Sequence, residues 1–425
     1  MSLWPQAAAL AGGTTMHIDF ALPVQHDLLK GWQEWQAKAS TGCMDYSFHM
    51  AITNWSSKTR DDMAALAAQG VNSFKFFMAY KGSLQVTDEE LLMGMAQCKE
   101  LGALPMVHAE NGDAVAWGQR HVLEELGITG PEGHALSRPP YVEGEATGRA
   151  IRLARLVGVP LYVVHIMSED ALKQVAEARL MGQRVIGEPV ASGLSLHEDV
   201  LWNANWTQAA QYVMSPPIRG PHHRTTLKQA LAGGVLQLVA TDHASFNSTQ
   251  KAVGRHDFRL IPNGVHGLEE RMHIVWEEMV NSGLITPMDF VRVTSTAAAQ
   301  IFNMYPRKGR IAAGSDADVI VFDPEREHVL SAASHHHNND LNVYEGRRIK
   351  GFVETTISRG RLVWQHGQLN VESGSGRFVP LPLHGPLFDG LPKPELPRQE
   401  PGFCRTSDSA CCGDQPTSSC SSSFD

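Results

Sequence analysis

Cysteine is scarce in most of this sequence, and that scarcity bears on the compartment in which the protein works. The chain has 425 residues and six cysteines, and four of these fall within residues 401–425. Small secreted domains depend on closely spaced, paired cysteines, which the rest of the chain does not offer. The amino terminus also lacks the basic start and apolar stretch of a secretory signal. These absences predict a reduced, cytoplasmic protein.

An excess of positive charge and long apolar stretches are also missing. Lys and Arg number 36 against 45 Asp and Glu, which gives a net charge of −9, and there is no long basic run. Nucleic acids and anionic membrane surfaces attract proteins through positive charge. A membrane-spanning helix needs about 20 consecutive apolar residues, and the sequence has no such stretch. We therefore expect neither nucleic acid nor a membrane as a partner.

The sequence does contain an alternation of apolar runs and helical patterns. Continuous apolar runs that precede helices are typical of parallel strands covered by helices. No glycine-rich phosphate-binding motif follows the first run, which disfavours an open dinucleotide-binding sheet. The pattern favours an α/β fold of the (β/α)8 barrel kind, and the count of predicted strands is one short of eight. The seven predicted strands cover 14–21, 44–52, 71–79, 103–110, 160–167, 183–190 and 236–243.

The character of the chain changes after the barrel segment, which we assign to residues 1–305. Residues 306–372 combine short strand patterns with glycine turns and predict a small β-sandwich-like unit. Residues 373–400 are proline-rich and predict an extended arm. Residues 401–425 are rich in serine and cysteine, and we expect them to be disordered.

Polar side chains mark four of the predicted strands, at the edge where barrel enzymes place their active sites. Lys75 interrupts the third run, and Asp242 ends the seventh. His108 and His165 end the fourth and fifth. Taken singly, such histidines are most often structural, and a lysine in an apolar strand most often extends its head to water. Imidazole and carboxylate are also the usual ligands of catalytic zinc, so their convergence predicts a metal-dependent site.

The position of Lys75 has a chemical explanation in such a site. Reaction of its amine with CO2 gives a carbamate, which removes a buried positive charge and creates a carboxylate-like ligand. That ligand can bridge two metal ions roughly 3.5–4 Å apart. A Schiff-base lysine is the competing explanation, but the metal-ligand residues at neighbouring strand ends favour the carbamate.

Beyond these residues, the sequence resembles the dihydropyrimidinase (hydantoinase) group of the cyclic amidohydrolase family, in consistent order from about residue 9 to 370. The resemblance implies an amidohydrolase barrel and a homotetramer. It also implies hydrolysis of the cyclic amide ring of 5,6-dihydrouracil, 5,6-dihydrothymine or hydantoins, to N-carbamoyl-β-amino acids in pyrimidine catabolism. The segments that carry it are "ALAGGTTMHIDF", "GVNSFKFFMAYKG", "VHAENGD", "GITGPEGH", "PLYVVHIMS", "VMSPPIR", "TDHASFN", "IPNGVHGLEERM", "KGRIAAGSDADVIVFDP" and "NVYEGRRIKGFVETTISRG".

The resemblance implies two divalent metal ions, with zinc as the expected metal. Lys75 would carry the CO2-derived carbamate between the two ions, and His108 and His165 would bind the second ion. Asp242 would bind the first ion. It would also shuttle the proton, acting as a base toward the attacking water and then as an acid toward the leaving nitrogen.

The resemblance also implies three contacts to a cyclic amide substrate. Tyr80 would donate a hydrogen bond to the developing oxyanion. Ser215 and Asn263 would hold the ring through their backbone groups. From their neighbours alone, Ser215 and Asn263 are equally natural as turn residues beside proline and glycine.

One family feature has no counterpart at the expected place. In the family, a His-x-His pair ends the first barrel strand and binds the first metal ion, but here the segment downstream of that strand already appears at residues 8–15. The resemblance therefore implies that the first barrel strand is missing here, which matches the count of seven strands, and that the first metal site is incomplete. The chain is then either a truncated form of an active enzyme or a non-catalytic, dihydropyrimidinase-like assembly protein. Its one His-x-His, His335–His337, lies in the β unit, and we expect that loop to be exposed to solvent.

Overall fold

A parallel sheet forms the centre of the computed structural model, which describes residues 3–391. Its strands within this range are β1 Met16–Ala21, β2 Asp45–Ile52, β3 Ser73–Phe77, β4 Leu104–His108, β5 Leu161–Val163 and β6 Val185–Gly187. Each strand is parallel to the next along the chain, and the spatial order is the sequence order. Helices lie between successive strands, so the predicted barrel-type α/β architecture is confirmed.

The helices vary widely in length, and the longest lie in the first half of the chain. Within the described residues the α-helices are α1 Leu3–Ala11, α2 Leu28–Ala39, α3 Ser57–Ala68, α4 Asp88–Leu101, α5 Gly112–Arg120, α6 Glu132–Leu136, α7 Pro140–Val157, α8 Glu169–Leu180, α9 Ala191–Ser195, α10 Trp206–Ala210, α11 Pro221–Ala232, α12 Ser248–Lys251, α13 Arg271–Val275, α14 Pro287–Val291 and α15 Ala297–Ile301. Wider π-helical turns continue three of them, at His121–Glu125, Trp276–Asn281 and Arg292–Thr296. Short 3₁₀ turns occur at Glu198–Trp202, Ala252–Gly254, Phe258–Leu260 and Pro386–Phe388.

Residue types and spacing in the sequence predict where α4 begins and ends and where α8 begins, at Thr87 with Glu90, Gly102 and Ser168. Thr87 accepts the N–H of Glu90 at 3.2 Å, and the Glu90 carboxylate accepts the N–H of Thr87 at 2.8 Å, which completes a capping box. Gly102 ends α4 with a left-handed φ of 67°. Ser168 caps α8 by accepting the N–H of Ala171 at 3.2 Å. The predicted caps are confirmed.

The prediction of a regular seventh strand is wrong. Residues 236–243 run beside the chain that follows β6, but Val190 and Ala240 form only an isolated parallel bridge. The N–H of Ala240 donates to the carbonyl of Pro189 at 3.1 Å, and proline has no N–H with which to continue the ladder. Asp242 then turns the chain with a left-handed φ of 48°. A proline neighbour and a left-handed turn thus interrupt the pairing.

A separate antiparallel sheet follows the helical part of the chain. Its strands are β7 Val319–Val329, β8 Arg348–Ser358, β9 Arg361–Gln365 and β10 Gln368–Leu369, in the spatial order β10, β9, β8, β7. This sheet confirms that a small β unit accompanies the barrel, as the glycine-separated strand patterns indicated.

The segment after β10 returns to the barrel sheet. The N–H of Tyr46 in β2 donates to the carbonyl of Arg377 at 2.9 Å, and the N–H of Val379 donates to the carbonyl of Tyr46 at 2.8 Å. The Phe378 ring lies edge-on to Trp32, with 5.3 Å between the ring centroids. This segment therefore packs along the start of β2.

Chain contacts define one compact unit that ends at Asp389. The predicted domain boundaries at residues 305 and 372 stay predictions, and the tail of residues 401–425 lies outside the described residues. Among the described helices, none is both long enough and apolar enough to cross a membrane.

Candidate active site

Lys75 lies inside the barrel sheet. It is the third residue of β3 and is 2% exposed, so the alternative of a lysine that reaches water is wrong. Its Nζ lies 4.4 Å from the centroid of the Phe20 ring and 4.9 Å from that of Phe77. Burial lowers the pKa of Lys75 to about 8, although the charges of Asp242 and Glu188 raise it. The amine is therefore far easier to deprotonate than an exposed lysine.

His108 and His165 face each other at the ends of neighbouring strands. His108 is the last residue of β4, and its Nδ1 lies 2.9 Å from Nε2 of His165. Nε2 of His108 lies 2.8 Å from a carboxylate oxygen of Glu110, which can only accept. His108 therefore keeps its proton on Nε2 and presents a lone pair at Nδ1. Burial lowers the pKa of both histidines, so both are neutral imidazoles of the kind that bind metals.

A buried ion pair fixes the His108 ring. Arg138 donates from Nη1 to Glu110 at 2.6 Å, and both side chains are buried. Burial raises the pKa of Glu110, but Arg138 and His108 lower it to about 2, so the carboxylate stays charged and holds the imidazole tautomer. The sequence analysis missed both residues. Glu110 follows His108 by two positions and could have been noticed, whereas nothing in the local sequence places Arg138 beside it.

Tyr80 lies against the histidine pair. Its ring centroid is 5.1 Å from that of His108, and its backbone is left-handed with φ of 66°. Burial raises the pKa of Tyr80 to about 12, with Ser215 acting as a hydrogen-bond partner that lowers it. The phenol therefore keeps its proton at neutral pH and can donate it in a hydrogen bond. The structure thus brings Tyr80, His108 and Ser215 together.

Lys251 connects the two loops that contain Ser215 and Asn263. It is 1% exposed, and its Nζ donates to three backbone carbonyls: Val213 at 2.9 Å, Pro262 at 2.7 Å and Gly264 at 2.8 Å. The N–H of Gly264 also donates to the carbonyl of Val213 at 2.9 Å. The loops are therefore held side by side. The sequence analysis missed Lys251, which has no motif of its own.

Two carboxylates share the electrostatic environment of Lys75. Burial raises the pKa of Asp242, and the charge of Lys75 lowers it. Burial raises the pKa of Glu188 to about 7, although the hydrogen bond that Glu188 accepts from the Tyr162 hydroxyl lowers it. Glu188 follows β6 directly, so the strand-end criterion could have found it. Carboxyl groups with raised pKa values suit proton transfer near neutral pH.

The strand-end residues suit a metal ion chemically. In the described part of the chain, Nδ1 of His165 is buried and has no hydrogen-bond partner. Buried polar atoms without a partner are uncommon, and each needs an explanation. Neutral imidazole, carboxylate and a readily deprotonated amine together form a suitable ligand set for an ion of the zinc class. The carbamate and the identity of the metal stay predictions.

The prediction that the His335–His337 loop is exposed is wrong. His337 is 5% exposed, and its two neighbours in the loop are half-buried. Glu269 accepts the backbone N–H of His336 at 2.7 Å, and its other oxygen lies 2.7 Å from Nδ1 of the same residue. This partner lies 67 residues earlier in the chain, so local polarity could not reveal it.

Comparison with known proteins places these observations in a family. The model of the amidohydrolase family matches residues 6–363. The dihydropyrimidinase of Arabidopsis thaliana is 60% identical over 389 residues, which cover 91% of this chain and 73% of that protein.

Two solved structures share the fold. The D-hydantoinase from a Bacillus sp. AR9 has 41% sequence identity and a TM-score of 0.88, covering 90% of this chain and 84% of that chain. The dihydropyrimidinase from Brevibacillus agri NCHU1002 has 40% identity and the same TM-score and coverage.

Proposed function

This chain belongs to the amidohydrolase family, and from that premise we propose that it is a cyclic amidase of the dihydropyrimidinase type. It hydrolyses a ring C–N bond of 5,6-dihydrouracil or 5,6-dihydrothymine and releases the N-carbamoyl-β-amino acid, with hydantoins as the related substrate class. The observation that carries the proposal is the buried pair of His108 and His165 at the barrel end that also contains Lys75, Asp242 and Tyr80.

Divalent metal ions would be held by these strand-end residues. His108 and His165 would hold one ion together with the carbamate of Lys75. The carbamate and Asp242 would hold the other ion, at the site that we expect to be incomplete without the His-x-His pair. When bound, such ions supply Lewis acidity that polarises the substrate carbonyl. Zinc is the ion that we propose, because imidazole and carboxylate are its usual ligands.

Lys75 is suited to carbamate formation by its environment. A pKa of about 8 leaves roughly one amine in ten neutral at pH 7. The Nζ lone pair forms the new bond to the carbon of CO2, one C=O electron pair moves to oxygen, and Nζ releases a proton. The buried group then changes from a cation to an anion, which matches the charge that divalent ions require.

The remaining residues bind the substrate and transfer the proton. Tyr80 keeps its hydroxyl proton and donates a hydrogen bond to the oxygen of the carbonyl under attack. Asp242, whose pKa burial raises, accepts a proton from water and later donates it to the departing ring nitrogen. Ser215 and Asn263 present backbone groups to the polar edge of the ring.

Three further properties belong to the same proposal. The cyclic amide is the small-molecule partner, the protein works in the cytoplasm, and it assembles as a homotetramer. Light scattering on the purified chain should give four times the chain mass, and a monomeric mass would contradict the assembly.

The test is ring opening by the whole chain after incubation with zinc and bicarbonate. We expect dihydrouracil hydrolysis by the wild type and a loss of at least about 10³-fold in Lys75→Met, because the shared ligand is removed. Lys38→Met is the matched control, since Lys38 is exposed and lies beside Trp35, and it should keep full activity. An inert, zinc-loaded wild type would contradict turnover by this chain. Activity of a version extended upstream would then indicate a truncated enzyme, and an inert extended version would support the non-catalytic assembly protein.

A further inference from the structure

A second group of metal-ligand side chains lies outside the strand-end site. His266, Glu270 and His337 are all buried, and each contributes one ligand atom to a set in which all atoms lie within 4.8 Å of one another. Glu270 directly precedes α13, and His337 lies in the loop between β7 and β8. The barrel and the β unit therefore both contribute to the group.

Several polar atoms of this group have no partner. Three atoms of the group are inaccessible to solvent and have no hydrogen-bond partner among residues 3–391. They are the two ring nitrogens of His337 and Oε2 of Glu270. Oε1 of Glu270 accepts from Asn342 at 2.9 Å and lies 3.8 Å from Nε2 of His337. Leaving buried donors or acceptors unsatisfied costs roughly 1–3 kcal/mol each. Three such atoms close together indicate a missing common partner.

The side-chain types and the ion pairs of this group favour a cation as the shared partner. In the described part of the chain, Glu270 has no Lys or Arg in an ion pair, and the imidazole of His337 is the sole basic group within 4 Å. A buried carboxylate beside two imidazoles, with no Lys or Arg paired to it among the described residues, favours a bound cation.

We propose that His266, Glu270 and His337 bind one divalent transition-metal ion, with Zn²⁺ as the expected ion. Two imidazoles and one carboxylate are the three protein ligands of known zinc sites, with water in the fourth position. Ligand atoms about 2.0–2.1 Å from a tetrahedral zinc ion lie roughly 3.3 Å from one another. Here the ligand atoms lie within 4.8 Å of one another, so small side-chain movements bring them to that spacing. Mg²⁺ and Ca²⁺ prefer oxygen ligands and are excluded by the imidazoles.

An open space leads to the group. A cavity of about 330 Å³ is lined by Glu270, His335 and Asn342 among other residues. The ion can therefore reach the carboxylate without unfolding of the barrel. Once bound, it would connect the loop of His337 to the start of α13, and so join the β unit to the barrel. We infer a structural role for the ion because the group is buried and lies outside the strand-end site.

Binding would change one hydrogen bond that can be observed. The backbone N–H of Val343 donates to Nε2 of His266 at 2.9 Å. A neutral imidazole that binds a metal through one nitrogen carries its proton on the other. If Nε2 binds the metal, its lone pair is occupied, and if Nδ1 binds, Nε2 carries the proton. In both cases Nε2 no longer accepts from Val343. The Val343 amide therefore reports on the ion from outside the ligand set.

The test counts zinc ions bound by the full chain at equilibrium, by mass spectrometry of the metal after gel filtration. We expect His337→Gln and Glu270→Gln each to bind one ion fewer per chain than the wild type. His336→Gln is the matched control, because this neighbour pairs with Glu269 and lies outside the group, and it should bind as many ions as the wild type. Equal counts in the wild type and His337→Gln overturn the proposal.

A second measurement uses the unmodified protein, in case the variants fold poorly. Hydrogen–deuterium exchange of the Val343 amide should change on addition of Zn²⁺ and should not respond to Mg²⁺. An amide unaffected by Zn²⁺ would contradict binding at His266. Neither measurement depends on turnover, and Lys75→Met should keep this ion, so the outcome is separate from that of the hydrolysis assay.

Discussion

At the scale of single residues, burial changes what a side chain can do. Lys75 and Lys251 are both lysines inside the protein, yet their surroundings differ. Lys75 faces the rings of Phe20 and Phe77 and has a pKa lowered by burial to about 8. Lys251 is surrounded by three carbonyl oxygens at hydrogen-bond distance. Burial lowers the pKa of Lys251 even further, to about 7. The difference between the two lysines is therefore in their contacts, because three acceptors fix Lys251 between two loops, whereas Lys75 faces aromatic rings.

Lys251 is expected to act on substrate binding without touching the substrate. In Lys251→Met, the carbonyls of Val213, Pro262 and Gly264 lose a shared donor, and the loops that contain Ser215 and Asn263 become less well positioned. We expect KM for dihydrouracil to rise about tenfold, or ~1.4 kcal/mol, with a much smaller change in kcat. Steady-state kinetics measures both quantities.

The matched control for this substitution is Lys99→Met. Lys99 also donates to a backbone carbonyl, that of Val157 at 2.8 Å, but it does so between α4 and α7. Its KM should equal that of the wild type. An unchanged KM in Lys251→Met would show that the two loops keep their arrangement without the lysine.

At the scale of elements, local sequence decides where helices begin and end, and contacts decide whether a strand forms a ladder. The capping box of α4 contains its own partners within four residues. The run at 236–243 depends on a neighbour some fifty residues earlier, where Pro189 interrupts the pairing. Helix ends are thus the more predictable feature of this chain.

Removal of the α4 cap should lower the free energy of unfolding by an amount typical of a lost helix cap. Thr87→Ala leaves the N–H of Glu90 without its acceptor, and we expect a loss of about 1 kcal/mol in the free energy of unfolding. Urea denaturation measures the loss. Thr225→Ala is the control, since Thr225 donates within α11 to Pro221 at 2.9 Å and caps nothing. A cost equal to that of the control would indicate that water replaces the cap.

At the scale of the whole molecule, one buried lysine joins the two sheets. Lys308 is 6% exposed, and its Nζ lies 2.8 Å from Asp45 in β2 and 2.5 Å from Asp318 next to β7. Asp316 lies 3.0 Å away, with partial exposure. Since these partners come from both the barrel and the β unit, the ion network of Lys308 holds the β unit against the barrel.

Breaking this ion network should be costly at neutral pH. Lys308→Met removes the lysine shared by Asp45, Asp316 and Asp318, while Arg359 stays 2.9 Å from Asp45. Because Asp45 keeps this one partner, we expect a loss of about 3 kcal/mol in the free energy of unfolding, the lower end for a broken buried ion pair. Lys350→Met is the control, because its partner Glu325 is exposed, and the loss there should be small. Thermal or urea unfolding distinguishes the two variants.

The same network predicts a dependence on pH. Burial lowers the pKa of Lys308, but hydrogen bonds to Asp318 and Asp45 outweigh burial and raise it above the ordinary 10.5. A raised pKa means that the contribution is complete below about pH 10.5 and is lost as the pH rises through the folded value. The difference between wild type and Lys308→Met should therefore shrink in strong alkali. A difference that stays constant with pH would contradict this assignment.

Local patterns in the sequence predict most of the elements of this protein and the ligand residues at its strand ends. Its apolar runs located the six strands of the parallel sheet, its capping residues located helix ends, and its polar strand ends pointed to Lys75, His108, His165 and Asp242. These features depend on neighbours a few residues away, or on the shared edge of a parallel sheet, which the period of the pattern already defines.

Which distant groups meet depends on the packing of the whole chain. Arg138 beside Glu110, Lys251 between two loops, and His337 beside Glu270 each depend on partners between 11 and 67 residues away along the chain. No local pattern encodes such a meeting, because the packing of whole elements sets the burial, and burial in turn sets the pKa values and the unpartnered atoms. The ligands at the strand ends were predicted from the sequence, whereas His266, Glu270 and His337 were recognised as a group only in the fold.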